Sequence, residues 1–194
     1  MRFNLSEVVE LIKDRRTIFP EQYSERKVHR EIVEELLKSG TWAPNHGKTE
    51  PWRFTVFTGD QTKLLADAQQ AFYLANTPKE SFSNAKFERY QKRAAATSVI
   101  IALGMKRQES GKIPEEEEVL AVGCAAQNIM LHATAYGIGS YWSSGKFIHS
   151  KEARHLLKLE NDDRVLGFLY LGYPSVDWPR SHRKPIEYVS DWKE

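Results

Sequence analysis

The chain has 194 residues, 41% of them apolar and 28% charged, with 28 Lys and Arg against 26 Asp and Glu for a formal net charge of +2. That length builds one sizeable core but is short for two independent ones, so a single domain over residues 1–194 is expected. A near-neutral balance exerts no overall pull on nucleic acid or an anionic membrane, and neither is an expected partner.

Cys124 is the single cysteine, which excludes an intramolecular disulfide framework and suits a reducing compartment. It lies in an apolar run and reads as a small buried core residue, not a nucleophile. The six histidines show no metal-type spacing, so no metal site is expected. The opening MRFNLSEVVELIKDRR lacks the continuous apolar stretch of a signal peptide, and no apolar run reaches the roughly 20 residues of a membrane span. The expected setting is the cytoplasm.

In chain order, Leu5, Val8, Val9, Leu11 and Ile12 share a helical face, with Asn4 placed to cap it and Glu7 three residues on. A second helix is predicted at about 28–39, with Ile32, Val33, Leu36 and Leu37 as its stripe and Gly40 as a left-handed stop. WRFTVF reads as a strand, and Gly59-Asp60 turns it into a third helix. Residues 78–93 interleave Lys79, Lys86, Arg89, Lys92 and Arg93 with Phe82, Phe87 and Tyr90, which predicts a mobile basic helix covering something. SVIIAL, 98–103, reads as a strand buried on both faces. Glu115 to Glu118 open a helix that runs to about Tyr136 and is apolar on most sides, as in the centre of a fold or an oligomer interface. Gly137 ends it, IGSYWSSG supplies a strand and turn, 150–158 a short helix, and VLGFLYLGYP the last clear strand. The tail SVDWPRSHRKPIEYVSDW keeps three aromatics without helical periodicity and reads as an extended arm packed on something. Helices separate nearly every pair of strands, so the class is α+β or α/β.

Four stretches are suited to chemistry. DRRT, 14–17, sets two arginines and a hydroxyl at a helix end, where they either fork onto phosphate oxygens or remain solvated beside the helix C-terminal dipole. RSHRKP, 180–185, is a second basic cluster able to converge on the same anion or to lie on the surface. GIGSYWSSG, 137–145, lets backbone amides approach a flat ligand, yet also suits a plain helix stop leading into a strand. It closes a helix instead of opening one, so it is not a dinucleotide fingerprint. APNHGKTEPWRF, 43–54, holds donors between two stiffening prolines. His46, Lys48 and Glu50 lack the nucleophile of a hydrolytic cluster and better suit the polar edge of a heteroaromatic ring.

With these stretches in this order, the chain resembles the FMN-dependent nitroreductase family, specifically a small subgroup with APxHxxxxPWxF where APSxxNxQPW is more common. The resemblance covers essentially the whole length. It implies the α+β nitroreductase fold, a central mixed or antiparallel sheet flanked by helices, with the C-terminal arm exchanged in a homodimer and FMN at the interface. It matches Arg15, Arg16 and Thr17 to phosphate and ribityl contacts, and Arg183 to the tail arginine that completes phosphate binding. Trp42 and His46 match positions that reach the flavin from the partner subunit, and Tyr141, Trp142 and Ser143 a segment along it. No side chain is assigned as catalytic. The implied activity is ping-pong oxidoreduction, from NAD(P)H to FMN and on to a small-molecule acceptor such as a nitroaromatic or quinone. The same resemblance accommodates a flavoenzyme for dehalogenation or dehydrogenation, or a non-catalytic flavin-binding protein. Lys48 and Glu50 stand where larger members carry Asn and Gln, and Phe19 where some carry a lysine near the flavin. Losing that cation alters the redox potential unless Lys48 or a backbone dipole substitutes.

Overall fold

The computed structural model describes residues 3–193. Four strands, β1 (Trp52–Thr58), β2 (Val99–Met105), β3 (Gly139–Ser143) and β4 (Arg164–Gly172), form an antiparallel sheet in the order β1-β2-β4-β3. The helices are α1 (Leu5–Asp14), α2 (Arg30–Gly40), α3 (Gln61–Ala75), α4 (Asn84–Ala96), α5 (Glu115–Ala135) and α6 (Lys151–Leu156). Strands and helices alternate along the chain while the strands pair antiparallel, so the class is α+β, as expected.

The pleat of β2 divides the core. Val99, Ile101, Leu103 and Met105 face α2 and α5, where they meet Leu36, Val122, Ala125 and Ile129. Ile100 and Ala102 face the other way, among Phe57, Leu65, Phe147, Phe168 and Tyr170. Every residue of β2 is buried, which is why its sequence shows a continuous apolar run instead of alternation.

β4 carries a bulge. Leu103 pairs with Gly167 and Gly104 with Val165, leaving Leu166 unpaired. The extra residue shifts the alternation, so that Val165 and Phe168 share one face while Leu166 and Leu169 point to the other. The Trp142 indole fills the bend, its Nε1 donating to the Leu166 carbonyl at 3.1 Å. Gly167 has φ +149°, and a Cβ there would overlap that indole.

Several details differ from the sequence reading. Gly40 is helical and does not end α2 in a left-handed turn; the cap is Thr41, at φ −71°. Glycine is needed because a Cβ would lie 3.0 Å from Ile129 Cδ1 and 3.3 Å from Phe54 Cζ, where α2 crosses α5. Cys124 is exposed, not core, because it sits on the side of α5 turned away from the sheet, together with Leu120 at 66% exposure. α1 is capped as expected, Asn4 Oδ1 accepting from Ser6 N at 3.1 Å, yet none of its residues is buried. Leu5, Val8, Val9 and Ile12 remain open on an amphipathic helix. The basic segment is a short turn, Lys79–Ser81, followed by α4, whose first turn is capped by Ser83 and which packs on α3.

The Gly167→Ala substitution should destabilise the protein by roughly 1–3 kcal/mol, since the added methyl displaces the indole and strains the backbone. The shift in urea midpoint at constant m-value measures it.

Candidate functional site

α1 ends where the chain turns outward at Arg15, whose N–H still donates to Leu11 O at 3.2 Å. The C-terminal tail returns to this point. Trp178 Nε1 donates to Asp14 O at 2.5 Å, and Arg16 Nε donates to Pro179 O at 3.1 Å. Arg16 Nη1 also donates to Arg15 O at 2.8 Å. Arg183 is held by its own loop, Nη1 donating to Ser181 Oγ at 2.8 Å and to His182 O at 2.9 Å. The two arginine clusters therefore meet. Partial burial, then the positive charges of Arg16 and Arg183, push the Arg15 guanidinium below its ordinary pKa. Among the described residues no carboxylate pairs with Arg15, Arg16 or Arg183.

From there the chain runs along the free edge of β3. Thr17 bridges Ser140, and Ile18 N donates to Ser140 O at 3.1 Å. Gly139 permits this approach, because a Cβ would lie 2.7 Å from Ile18 Cβ. The Thr17 side chain stays exposed. Alternation along β3 then sends Tyr141 to the face shared with Tyr170 and Phe168, and Trp142 to the α5 face. Ser143 lines the same cleft as Tyr141. The Trp142 indole is committed to the β4 bulge, so this residue has only its main chain to offer a ligand beside β3.

Arg93, near the end of α4, is in sequence one more cation of a basic helix, and the structure gives it a central position. Its Nε donates to Glu21 Oε1 at 2.8 Å and its Nη1 to Tyr141 Oη at 3.1 Å. The guanidinium lies 4.8 Å from the Tyr141 ring centre and 5.8 Å from that of Phe19, and the two rings are 5.0 Å apart. Burial opposes its charge, but the bonds to Glu21 and Tyr141 outweigh burial and raise its pKa. A cleft of about 540 Å³, lined by Thr17, Phe19, Glu21, Gln22, Arg93 and Pro179, lies on one side. A larger one of about 650 Å³, with Tyr141 and Ser143 in its wall, lies on the other. The sequence signal for Arg93 was slight: a cation immediately before Ala94, Ala95 and Ala96, leading into the central strand.

Trp42 and His46 are elsewhere. Trp42, 86% exposed, follows α2. His46 Nδ1 is 2.5 Å from Glu117 Oε2 in the first turn of α5. The loop is held in shape by Asn45 Oδ1, which accepts from Glu50 N at 3.0 Å. Gly47, Lys48 and Glu50 all have positive φ, at 62°, 53° and 45°. Two left-handed non-glycine residues in one short loop are uncommon and mark a defined conformation. The adjoining Ala43 belongs to the core on the α2–α5 face, whereas Tyr141 and Arg93 lie on the α3–α4 face. Lys48 lies on this exposed loop; Arg93, not Lys48, is the cation beside Phe19. Within one chain, then, Arg15, Arg16 and Arg183 come together, Thr17, Tyr141 and Ser143 continue the same surface, and Trp42 and His46 do not join them.

Among the described residues no group of His, Cys, Asp or Glu forms a metal site, and no helix is long and apolar enough to cross a membrane. The site thus sets cations that form no ion pair among the described residues beside ring-lined clefts on an α+β sheet. The chain belongs to the Nitroreductase family, whose sequence pattern matches residues 12–173. It is similar to "Putative NAD(P)H nitroreductase YdjA" of Escherichia coli K12, at 29% identity over 75% of this chain and 78% of that one. Among solved structures it is similar to a nitroreductase-like family protein from Bacillus cereus, with a TM-score of 0.80, 25% identity and full coverage of both chains. It also resembles a "putative nitroreductase in complex with FMN" from Desulfovibrio desulfuricans, with a TM-score of 0.73, 25% identity and 99% coverage of each chain.

Burial opposes the ionisation of Glu21, but the hydrogen bond and charge of Arg93 outweigh it and hold the carboxyl below its ordinary value of 4.5. A depressed carboxylate pKa gives stability that is present above the unfolded pKa and is lost as pH falls through the folded one. Glu21→Gln should therefore be less stable than the native protein at pH 7, with the difference narrowing below about pH 4.3. Urea unfolding at pH 7, 4.5 and 3.5 reads the convergence, which stays modest because Glu21 is half-exposed.

Proposed function

We propose that this chain is an FMN-dependent NAD(P)H oxidoreductase of nitroreductase type. The observation that carries this reading is the meeting of Arg15 and Arg16 with Arg183, cations from opposite chain ends whose like charges bear on Arg15 and which, among the described residues, have no carboxylate paired with them. A phosphate monoester fits that need, since guanidinium forks bind its oxygens in charge-assisted pairs and the Thr17 hydroxyl adds a further donor. The cleft beside Thr17 leads from there toward Phe19, Arg93 and Tyr141, a course suited to a ribityl chain and a planar ring. When bound, FMN supplies the two-electron chemistry, taking hydride from NAD(P)H and passing it to an acceptor such as a quinone or nitroaromatic.

The chain's own residues bind, orient and tune. Arg15, Arg16, Thr17 and Arg183 hold the phosphate end. Tyr141, Ser143 and the main chain of Trp142 border the ring, and Arg93 supplies the fixed positive charge that Phe19 lacks. Glu21 offsets much of that charge, so Arg93 serves the ring edge chiefly as a fixed hydrogen-bond donor and replaces the missing lysine only in part. No side chain is needed as a general acid, because an open cleft lets solvent deliver protons.

Trp42 and His46 lie on the α2–α5 side, apart from Tyr141, and the reading has them approach the ring from a second chain, so it includes a homodimer with the site at its interface. The open apolar faces of α1 and of α5 at Leu120, and the exposed Ile186, Tyr188, Val189 and Trp192 of the tail, suit burial against a second copy. The tail then acts as an exchanged arm. A cytoplasmic setting agrees with the single cysteine and an NAD(P)H donor.

Arg15→Ala and Arg183→Ala should each weaken FMN binding by about 1–3 kcal/mol, or roughly 5- to 150-fold. Fluorescence titration of the apoprotein with FMN measures this. A colourless native protein that stays colourless with added FMN, or unchanged affinity in both variants, would refute the assignment.

A further inference from the structure

The larger cleft, between α4 and the β3–β4 part of the sheet, has an unusual division of character. Its inner wall is aromatic, with Phe72, Tyr90, Tyr141, Phe168 and Tyr170. Its rim carries Lys86, Arg89 and Lys146, and no Asp or Glu lines it anywhere. Arg93, at the inner end, is paired with Glu21, and Arg89 adds its charge to the same carboxylate from further off, but among the described residues none of the three rim cations forms a direct ion pair. Lys86 is positioned by the Tyr73 ring, 4.8 Å from its centre. Arg89 and Lys146 are exposed and make no direct ion pair among the described residues. Elsewhere on α4 and α2, surface cations do pair, as Lys92 with Glu88 and Arg30 with Glu34. On α4 itself Lys92 pairs with Glu88, whereas Lys86 and Arg89 of the cleft rim form no ion pair among the described residues.

We propose that this cleft is the electron-acceptor site and that it selects planar aromatic acceptors carrying a carboxylate, a refinement that rests on the flavin reading above. Ring-lined walls take a flat molecule by offset stacking. A rim of one sign over low-dielectric walls concentrates its potential on an entering anion. At about 650 Å³ the space suits a one- or two-ring acid. The anion it favours is thus attached to the ring that enters the aromatic wall, not at the distant end of a dinucleotide. For a nitroaromatic acid the reaction balances as one hydride from NAD(P)H and one proton from solvent, converting the nitro group to nitroso with loss of water. NAD(P)+ is the other product, and the carboxylate is unchanged.

The test is equilibrium titration of the purified flavin-loaded protein with 4-nitrobenzoate and with its uncharged methyl ester. Native protein is compared with the Arg89→Gln, Lys146→Gln double variant. Both positions are exposed, so the fold tolerates the changes. The acid should bind about tenfold or more tightly than the ester to the native protein, a preference the double variant loses. The same preference should weaken as salt is raised. Equal binding of acid and ester to native protein, or a preference unchanged in the variant, overturns the proposal. So does a variant that keeps the acid preference but loses discrimination between NADPH and NADH, because the cations would then serve the donor. Turnover of menadione, a neutral quinone, separates the two readings. If menadione and every other acceptor fail while the acid preference persists and vanishes in the variant, the oxidoreductase reading falls and the anion-selective cleft stands.

Discussion

Repulsion among three guanidinium groups is the constraint on which the candidate site depends. Arg15 and Arg16 leave the end of α1, and the tail carries Arg183 back to them, pinned by Trp178 on Asp14 and by Pro179 on Arg16. Helix C-terminal carbonyls favour positive charge nearby, but one cation satisfies that need and three exceed it. Among the described residues no carboxylate pairs with these cations, and a bound anion would offset the positive charge that bears on Arg15. Electrostatics thus orients the functional reading: an anion at one end, a ring path along Thr17 and Phe19, and Arg93 beyond.

The pleat supplies the second organising element. β3 carries Tyr141, Trp142 and Ser143 in succession, and alternation gives them different duties. Tyr141 and Ser143 face the clefts, while Trp142 plugs the β4 bulge and donates to Leu166 O. The bulge requires glycine at 167, and the close run of residues 17–18 along β3 requires glycine at 139. Packing that looks remote from any ligand therefore decides where the cleft-lining side chains point.

The same sheet separates Trp42 and His46 from the rest. They lie with α2 and α5 on one face, and Tyr141 and Arg93 lie with α3 and α4 on the other. The family resemblance assigns those two positions to a partner subunit, and within one chain they stand apart from Tyr141. The apolar face of α1 belongs to the same logic: an amphipathic helix that buries none of its residues in its own chain has a hydrophobic face still to cover, and Leu120 on the outer side of α5 adds to it.

Patterns local in the chain were legible from residues alone. Asn4 caps α1, the Glu115–Glu118 cluster opens α5, the SVIIAL run becomes the doubly buried β2, and the basic and glycine motifs stand in a recognisable order. These depend on nearest-neighbour sterics, dipoles and hydrophobic period, which a linear sequence records directly. Gly40 and Cys124 were misread, because close helix crossing and the outward side of α5 depend on what packs against each element. Arg93 was underrated for the same reason, since its partners, Glu21 and Tyr141, are remote in sequence and meet only through folding. The sequence by itself determined the elements, the family and the charged motifs. Tertiary structure decided which side of the sheet each side chain occupies, because the pleat, the bulge and the returning tail exist only once distant strands have paired.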